Sequence, residues 1–467
     1  MSGTTQLQRP ALCRRALSSS SFAEAFDAAR QKLNELELDD KTSASVVTSD
    51  PLDAMSDPGL DSAPASSLAS PFTTPATPAL DPDVADDFAF AFDIDGVLVR
   101  GGEAIPEAIE AMKVLNGENE YGIRIPYIFL TNGGGKFETE RCRDLSKQLE
   151  IEVSPGQFIC GHTPMRELCN KYKGTVLVIG GEGEKCRQVA ESYGFRDVIT
   201  PGDIIKANSA TAPFRNLSEK DKAACRDLLN EGKYEKLSDV VVDAVFVFAD
   251  SRDWASDLQI IIDVAMSKGG RLETRSENSD QGPPIYFSHN DVVWSAAHEH
   301  VRLGMGALRR IVEVVFEQCT GGKQLTTHAF GKPQVGTFEF ATRLLQQWRA
   351  AQHGLTDSKG PSTVYFVGDT PESDIRGTNA MDATTPDTNW YSILVKTGVY
   401  QDGTEPAYKP RATVPNVLDA VNYGIEREMA RRAAKGAGKM LMLDEVAKKA
   451  LAAPEIKVYG DDYIVAE

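Results

Sequence analysis

Phe88, Phe90 and Phe92 alternate with Ala89 and Ala91, a period of two that predicts a buried β-strand running straight into Asp93-Ile94-Asp95-Gly96. Helical and strand-like patterns then alternate: Ala104 to Leu115 reads as a helix, Ile125 to Leu130 as a strand, and Glu138 to Leu149 as a helix. That alternation predicts βαβ units and a parallel sheet. Further strand-like runs at Thr175 to Ile179, Val198 to Thr200 and Val240 to Phe248 are interspersed with helical stretches Glu184 to Tyr193 and Asp257 to Ser267, enough for another α/β layer. After a helix from about Gly336 to Ala350, the run Val364-Tyr365-Phe366-Val367 leads into Gly368-Asp369, so the pattern returns to strand followed by acid. Ile393-Leu394-Val395 supplies one more strand, and a charged helical stretch from Ile425 to Lys435 precedes the C-terminal tail.

Charge changes the picture at the N-terminal end. Of the net charge of -18, the segment Glu35 to Asp87 carries -11, from 12 acidic residues against Lys41, and its richness in Ser, Pro and Thr predicts disorder. Ahead of Glu24 there are no acids but three arginines, Arg9, Arg14 and Arg15, followed by Ser18 to Ser21, the composition of a mitochondrial transit peptide. Seven scattered cysteines form no Cys-x-x-Cys pair, which points to reduced thiols. No apolar run reaches the 18 or so residues a membrane helix needs, and the acidic balance gives no compositional case for nucleic-acid binding.

Four separated motifs share one chemical logic. Asp93-Ile94-Asp95-Gly96 sets two acids at a strand end, beyond which ligands bind in open α/β sheets, and Gly96 lets the backbone turn. The turn makes a shared face for the two carboxylates unfavourable, so different roles are expected, one attacking and one handling protons. Thr131-Asn132-Gly133-Gly134-Gly135 follows the next strand and offers a hydroxyl, an amide and backbone amides suited to a phosphate. Gly331-Lys332-Pro333 supplies a cation for a phosphoryl group or for holding a nucleophilic carboxylate. Gly368-Asp369-Thr370-Pro371-Glu372-Ser373-Asp374 adds acids for a hard cation such as magnesium. Taken singly, each motif is also an ordinary turn or helix cap.

In this order the motifs closely resemble the four signatures of the haloacid dehalogenase superfamily, over roughly Phe88 to Asn422. The large insertion between the second and third motifs is similar to the α/β cap of the subfamily that contains phosphoglycolate and pyridoxal-phosphate phosphatases. With the Arg-rich start, the chain looks most like the mitochondrial family named after cat eye syndrome critical region protein 5. The resemblance implies an α/β fold, a doubly wound parallel sheet with an inserted α/β cap domain. It divides the chain into a leader at 1–33, an acidic disordered linker at 34–87, core at 88–164, cap at 165–325, core at 326–424 and a C-terminal extension at 425–467. It implies a magnesium-dependent phosphatase-like hydrolase in which Asp93 is the nucleophile and Asp95 the proton donor and then acceptor. Thr131 and Lys332 would bind the transferring phosphoryl group, with Asn132 and Gly133 beside them. Magnesium would be held by Asp93, the Asp95 carbonyl and Asp369, with Asp374 nearby or acting through water. From the cap, Asn290 and Asp291 are candidates for substrate contact, a strand-end turn being the alternative. The implied partner is a small phosphorylated metabolite, with neither nucleic acid nor membrane, a possible homodimer through the cap, and a place in the mitochondrial matrix. A catalytically weak interaction protein that has kept the fold is the competing reading.

Overall fold

The computed structural model describes residues 83–437, apart from 356–359, 387 and 402, together with 457–458. The expected leader and nearly all of the acidic linker lie outside these residues. Two largely parallel sheets carry the chain. In chain order their strands are β1 (Phe88–Phe92), β2 (Tyr127–Leu130) and β3 (Phe158–Ile159), then β4 (Thr175–Ile179), β5 (Asp197–Ile199), β6 (Val242–Val247), β7 (Ile285–Phe287) and β8 (His328–Ala329), then β9 (Thr363–Gly368), β10 (Asn389–Val395), β11 (Ala412–Val414) and β12 (Lys457–Val458). The core sheet has the order β12-β11-β10-β9-β1-β2-β3 and the cap sheet the order β8-β7-β6-β4-β5. Only the β11–β12 pair in these two sheets is antiparallel.

The alternation in β1 sets the core. Phe88, Phe90 and Phe92 face one layer with Met112, Leu145 and Val421 from three helices, while Ala89 and Ala91 face the other with Phe338, Ala341 and Leu345. Large side chains on one face and alanines on the other let the helix Val335–His353 approach closely, and helices on both faces make the doubly wound sheet. Burying each of these phenylalanines contributes about 1.5–3 kcal/mol relative to exposure.

Two elements begin earlier than their apolar patterns suggest. β10 starts at Asn389, because Trp390 and Tyr391 are fully buried and the Ser392 hydroxyl is satisfied by Asn379 Oδ1 at 2.8 Å. The last helix runs Val417–Ala437, across the expected start at Ile425. Gly424 lies inside it, where a Cβ would stand 2.6 Å from Phe90 Cζ, so this glycine permits close packing rather than a break. Beyond Gly424 the same helix remains anchored to the core, with Tyr365 donating to Glu428 at 2.7 Å and Arg432 paired with Asp87.

The cap sheet extends to His328–Ala329, four residues past the range expected for the insertion. Helices Trp254–Ala265 and Met305–Cys319 cover one face of it, and an aromatic layer around Phe246, Tyr286 and Phe195 fills the other. Among the described residues no helix is long and apolar enough to cross a membrane, and the six described cysteines are unpaired.

Candidate active site

Strand register brings the motifs to one level. Phe92 pairs with Val367 on one side and with Phe129 on the other, so the residues just beyond, Asp93, Gly368-Asp369 and Thr131, leave the sheet along one edge. The Asp93 N–H continues the ladder by donating to the Val367 carbonyl at 2.9 Å, and the Thr131 N–H does so to Ile159 at 3.0 Å. These bonds fix where the two side chains start.

Lys332, only 2 % exposed, lies at the centre of the acids. Its Nζ is 2.7 Å from Asp93 Oδ1 and 2.8 Å from Asp374 Oδ1. Burial opposes the charge on Lys332, but the Asp374 and Asp93 carboxylates outweigh it and hold the ammonium above its ordinary range. Asp369 completes the group: one carboxylate oxygen from each of Asp93, Asp369 and Asp374 lies within 4.8 Å of the others. Burial raises Asp93 well above the usual carboxylate range, against the pull of Lys332 and with help from Asp374 and Asp369. Burial likewise lifts Asp369 to about 7, reinforced by Asp374.

Local bonds explain the precision of the acids. Asp374 Oδ2 accepts from the Asp369 and Thr370 N–H groups, each at 2.9 Å, which closes the loop. Asp369 Oδ2 accepts from the Val399 N–H at 2.7 Å, and Oδ1 accepts from the Thr370 hydroxyl at 3.1 Å. Two glycines make room for it. A Cβ on Gly398 would stand 1.8 Å from Asp369 Oδ2 and one on Gly96, whose φ is +90°, 2.2 Å from the same atom. The Thr397 hydroxyl donates to the Gly96 carbonyl at 2.5 Å and ties the first motif to this loop.

A pH effect follows from the raised Asp369. A folded-state value near 7 against 3.8 means the folded protein binds this proton more tightly than the unfolded chain. The associated stability is complete below pH 3.8 and is lost as pH rises through about 7. In metal-free buffer Asp369→Asn is therefore expected to melt above the parent at pH 7.5, with the difference shrinking towards pH 5. Thermal melts across that range check it; a constant difference would reject the cause.

Asp95 is set apart from the buried acids. Its side chain is 34 % exposed, and it shares the space beside Gly133 with the Thr131 hydroxyl. Partial loss of water raises it above the usual carboxylate range, opposed chiefly by Arg141, with Nη2 4.0 Å from Asp95 Oδ2. The Gly133 N–H donates to Thr131 Oγ1 at 3.0 Å. Asp93 and Asp95 thus have different surroundings, as the turn at Gly96 predicts.

The comparisons with known proteins agree with this arrangement. A family model described as haloacid dehalogenase-like hydrolase matches residues 90–196, and one for HAD-hydrolase-like proteins matches residues 329–420. A cardiolipin synthase and mitochondrial hydrolase fusion protein of Schizosaccharomyces pombe is 38% identical over 73% of this chain, which spans 54% of that longer protein. A mitochondrial hydrolase of Saccharomyces cerevisiae is 40% identical over 359 residues, covering 73% of this chain and 96% of the yeast protein. The chain belongs to the haloacid dehalogenase-like hydrolases. Among solved structures, a hypothetical protein of Pyrococcus horikoshii is 21% identical, covering 72% of this chain and 99% of that one at a TM-score of 0.45.

Within this hydrolase, the remaining candidates divide. Asn132 is committed to the protein: its Nδ2 donates to Asp291 Oδ2 at 2.8 Å and to the Lys332 carbonyl at 3.1 Å, and its Oδ1 accepts from the Lys332 N–H at 2.8 Å. Asn132 and Asp291 therefore brace the core loop, the cap and the lysine segment together. Asn290 is engaged elsewhere, accepting from Arg309 Nη1 at 3.0 Å. Gly331, with φ +74°, packs where a Cβ would meet Asn132 Oδ1 at 2.6 Å, which keeps Lys332 in register with the brace. The sequence pattern did not single out Arg141, Gly398 or Asp250; the last lies at the end of β6, 3.9 Å from His289 Nε2. The strand-end glycine after Ile393-Leu394-Val395 was the available signal for Gly398.

Proposed function

We propose that this hydrolase cleaves a phosphomonoester of a small metabolite through an aspartyl-phosphate on Asp93. The observation that carries the reading is the Lys332 ammonium held between Asp93 and Asp374, with Asp369 beside them and the partly exposed Asp95 and the buried Thr131 meeting at Gly133. Three buried carboxylates against one buried ammonium leave excess negative charge, and their donors are all oxygen, which fits a hard divalent cation such as magnesium. Asp93 and Asp369 would hold it, with Asp374, whose oxygens already serve Lys332 and two backbone amides, orienting them. Such an ion neutralises charge between nucleophile and substrate and orients the phosphoryl oxygens.

In the first step an Asp93 carboxylate oxygen attacks phosphorus, the ester bond breaks, and Asp95 gives its proton to the departing oxygen. In the second, Asp95 takes a proton from water, which attacks phosphorus, freeing phosphate and restoring Asp93. The raised affinity of Asp95 for its proton favours it as the donor in the first step. Thr131 and Lys332 stabilise the phosphoryl oxygens. Screening of phosphorylated metabolites with magnesium tests the reading, and absence of turnover across such a panel would argue for the non-catalytic alternative. Both fungal relatives carry mitochondrial in their names, and this supports a mitochondrial location for the protein.

The glycines around Asp369 give a separate expectation. Gly398→Ala puts a methyl group in the space of Asp369 Oδ2. Apparent magnesium affinity should fall by roughly 10- to 100-fold, the scale seen when groups supporting metal ligands are disturbed. Titration of magnesium against phosphate release measures it; unchanged affinity would place the ion away from Asp369.

A further inference from the structure

Arg141 is a cation that phosphoryl transfer as described leaves unused. It lies in the first turn of helix Glu138–Leu149, directly after the glycine loop. Its Nη2 stands 4.0 Å from Asp95 Oδ2, too far for a hydrogen bond, and its Nε is buried without a hydrogen-bond partner among the described residues. A Cβ on Gly133 would stand 3.3 Å from Thr131 Oγ1, 3.4 Å from Asp95 Oδ2 and 3.8 Å from Arg141 Nη2. The space left by the missing side chain of Gly133 is thus bordered by a phosphoryl-binding hydroxyl, the proton donor and a guanidinium. Nη2, the end of the guanidinium that faces this space, stands 4.0 Å from Asp95, so a ligand anion reaching it would gain a charge-assisted hydrogen bond that Asp95 does not make.

Direction follows from the chemistry. Asp95 must touch the ester oxygen to protonate it, so the group attached to that oxygen passes Asp95 and then Arg141. We propose that Arg141 is a specificity-determining residue that binds a second anionic group, a carboxylate or phosphate, on the leaving side of a small phosphomonoester. This rests on the phosphomonoesterase reading. With Nη2 4.0 Å from Asp95 Oδ2 and each bond advancing roughly 1.5 Å, the second anion belongs within about three bonds of the ester oxygen. The planar fork of Arg matches such anions in two hydrogen bonds, which Lys does not reproduce.

The test uses the full chain with magnesium and four probes whose distinguishing group begins three bonds from the ester oxygen: propyl phosphate, 3-phosphonooxypropanoate, ethane-1,2-diol bisphosphate and 2-aminoethyl phosphate. The parent is expected to prefer either doubly anionic probe over propyl phosphate in kcat/KM by about tenfold or more, the scale of a charge-assisted hydrogen bond, and to disfavour the ammonium probe. Comparing the carboxylate probe with the bisphosphate shows which anion is the better match. In Arg141→Gln the preference should fall towards one, with Arg141→Lys intermediate and melting temperatures confirming that both variants fold. A preference that persists in Arg141→Gln overturns the proposal. So does an equal loss on every probe with a shifted alkaline limb, which would make Arg141 a positioning residue for Asp95. Calorimetry on the Asp93→Asn protein, with and without Arg141→Gln, separates the two readings. Arg141-dependent binding of the anionic probes without turnover by the parent would reject phosphatase chemistry and keep the anion site. Turnover without any preference would reject the anion site alone, and neither binding nor turnover would reject both.

Discussion

Asp93→Asn is expected to lower kcat by about three orders of magnitude or more, because the amide cannot form the covalent phosphoryl intermediate while the rest of the pocket still binds substrate. Its effect on stability should be small. Burial, Asp374 and Asp369 all oppose a negative charge at position 93, and Lys332 keeps its other partner, Asp374, at 2.8 Å. The variant should therefore melt within a few degrees of the parent. Phosphate release with magnesium, measured beside a thermal melt, distinguishes lost chemistry from lost fold. Residual turnover within about tenfold of the parent would mean that water attacks phosphorus directly and Asp93 only holds the cation.

Lys332→Ala is expected to damage fold and chemistry together. The ammonium is the nearest counter-charge to two carboxylates that have lost most of their water, 2.7 Å from Asp93 and 2.8 Å from Asp374. Removing one partner of a buried pair strands the other, at about 3–5 kcal/mol. Denaturant unfolding without metal should show a loss of that order, and phosphate release should fall with it. Lys332→Ala in an Asp374→Asn background should lose less, since one stranded charge has gone, and that non-additivity is the signature of the ion pair. Equal losses in both backgrounds would place the cost in packing against Phe366, whose ring centre lies 5.5 Å from Nζ.

Three of the four motifs were legible in the sequence because each stands at the end of an apolar run. Period-two alternation places Phe88 to Phe92 in a strand, strand ends are where α/β sheets present ligands, and Asp93, Thr131 and Asp369 follow three such runs. Their convergence depends on register, which pairs Phe92 with Val367 and Phe129, and register is not written in any one segment. What supports the acids was harder to see. The Asn132 brace joins residues 159 and 200 positions apart, and no local pattern marks such a contact. Gly398 and Gly424 resemble turn glycines until the atoms they accommodate, Asp369 Oδ2 and Phe90 Cζ, are in place. Asn389-Trp390-Tyr391-Ser392 reads poorly as a strand because the Ser392 hydroxyl finds its partner, Asn379, outside the segment. Arg141 shares its helix turn with other charged residues, and only the fold turns it towards Asp95.

Covalent attachment of the phosphoryl group to Asp93 is the step on which the proposed reaction depends. Mixing the enzyme with magnesium and radiolabelled substrate, quenching in acid during turnover and mapping label on peptides tests this most directly. Label on the peptide that contains Asp93, absent from Asp93→Asn and lost on treatment with mild base, is the expected result. Turnover with the protein unlabelled at every quench time, or label on another side chain, would contradict it.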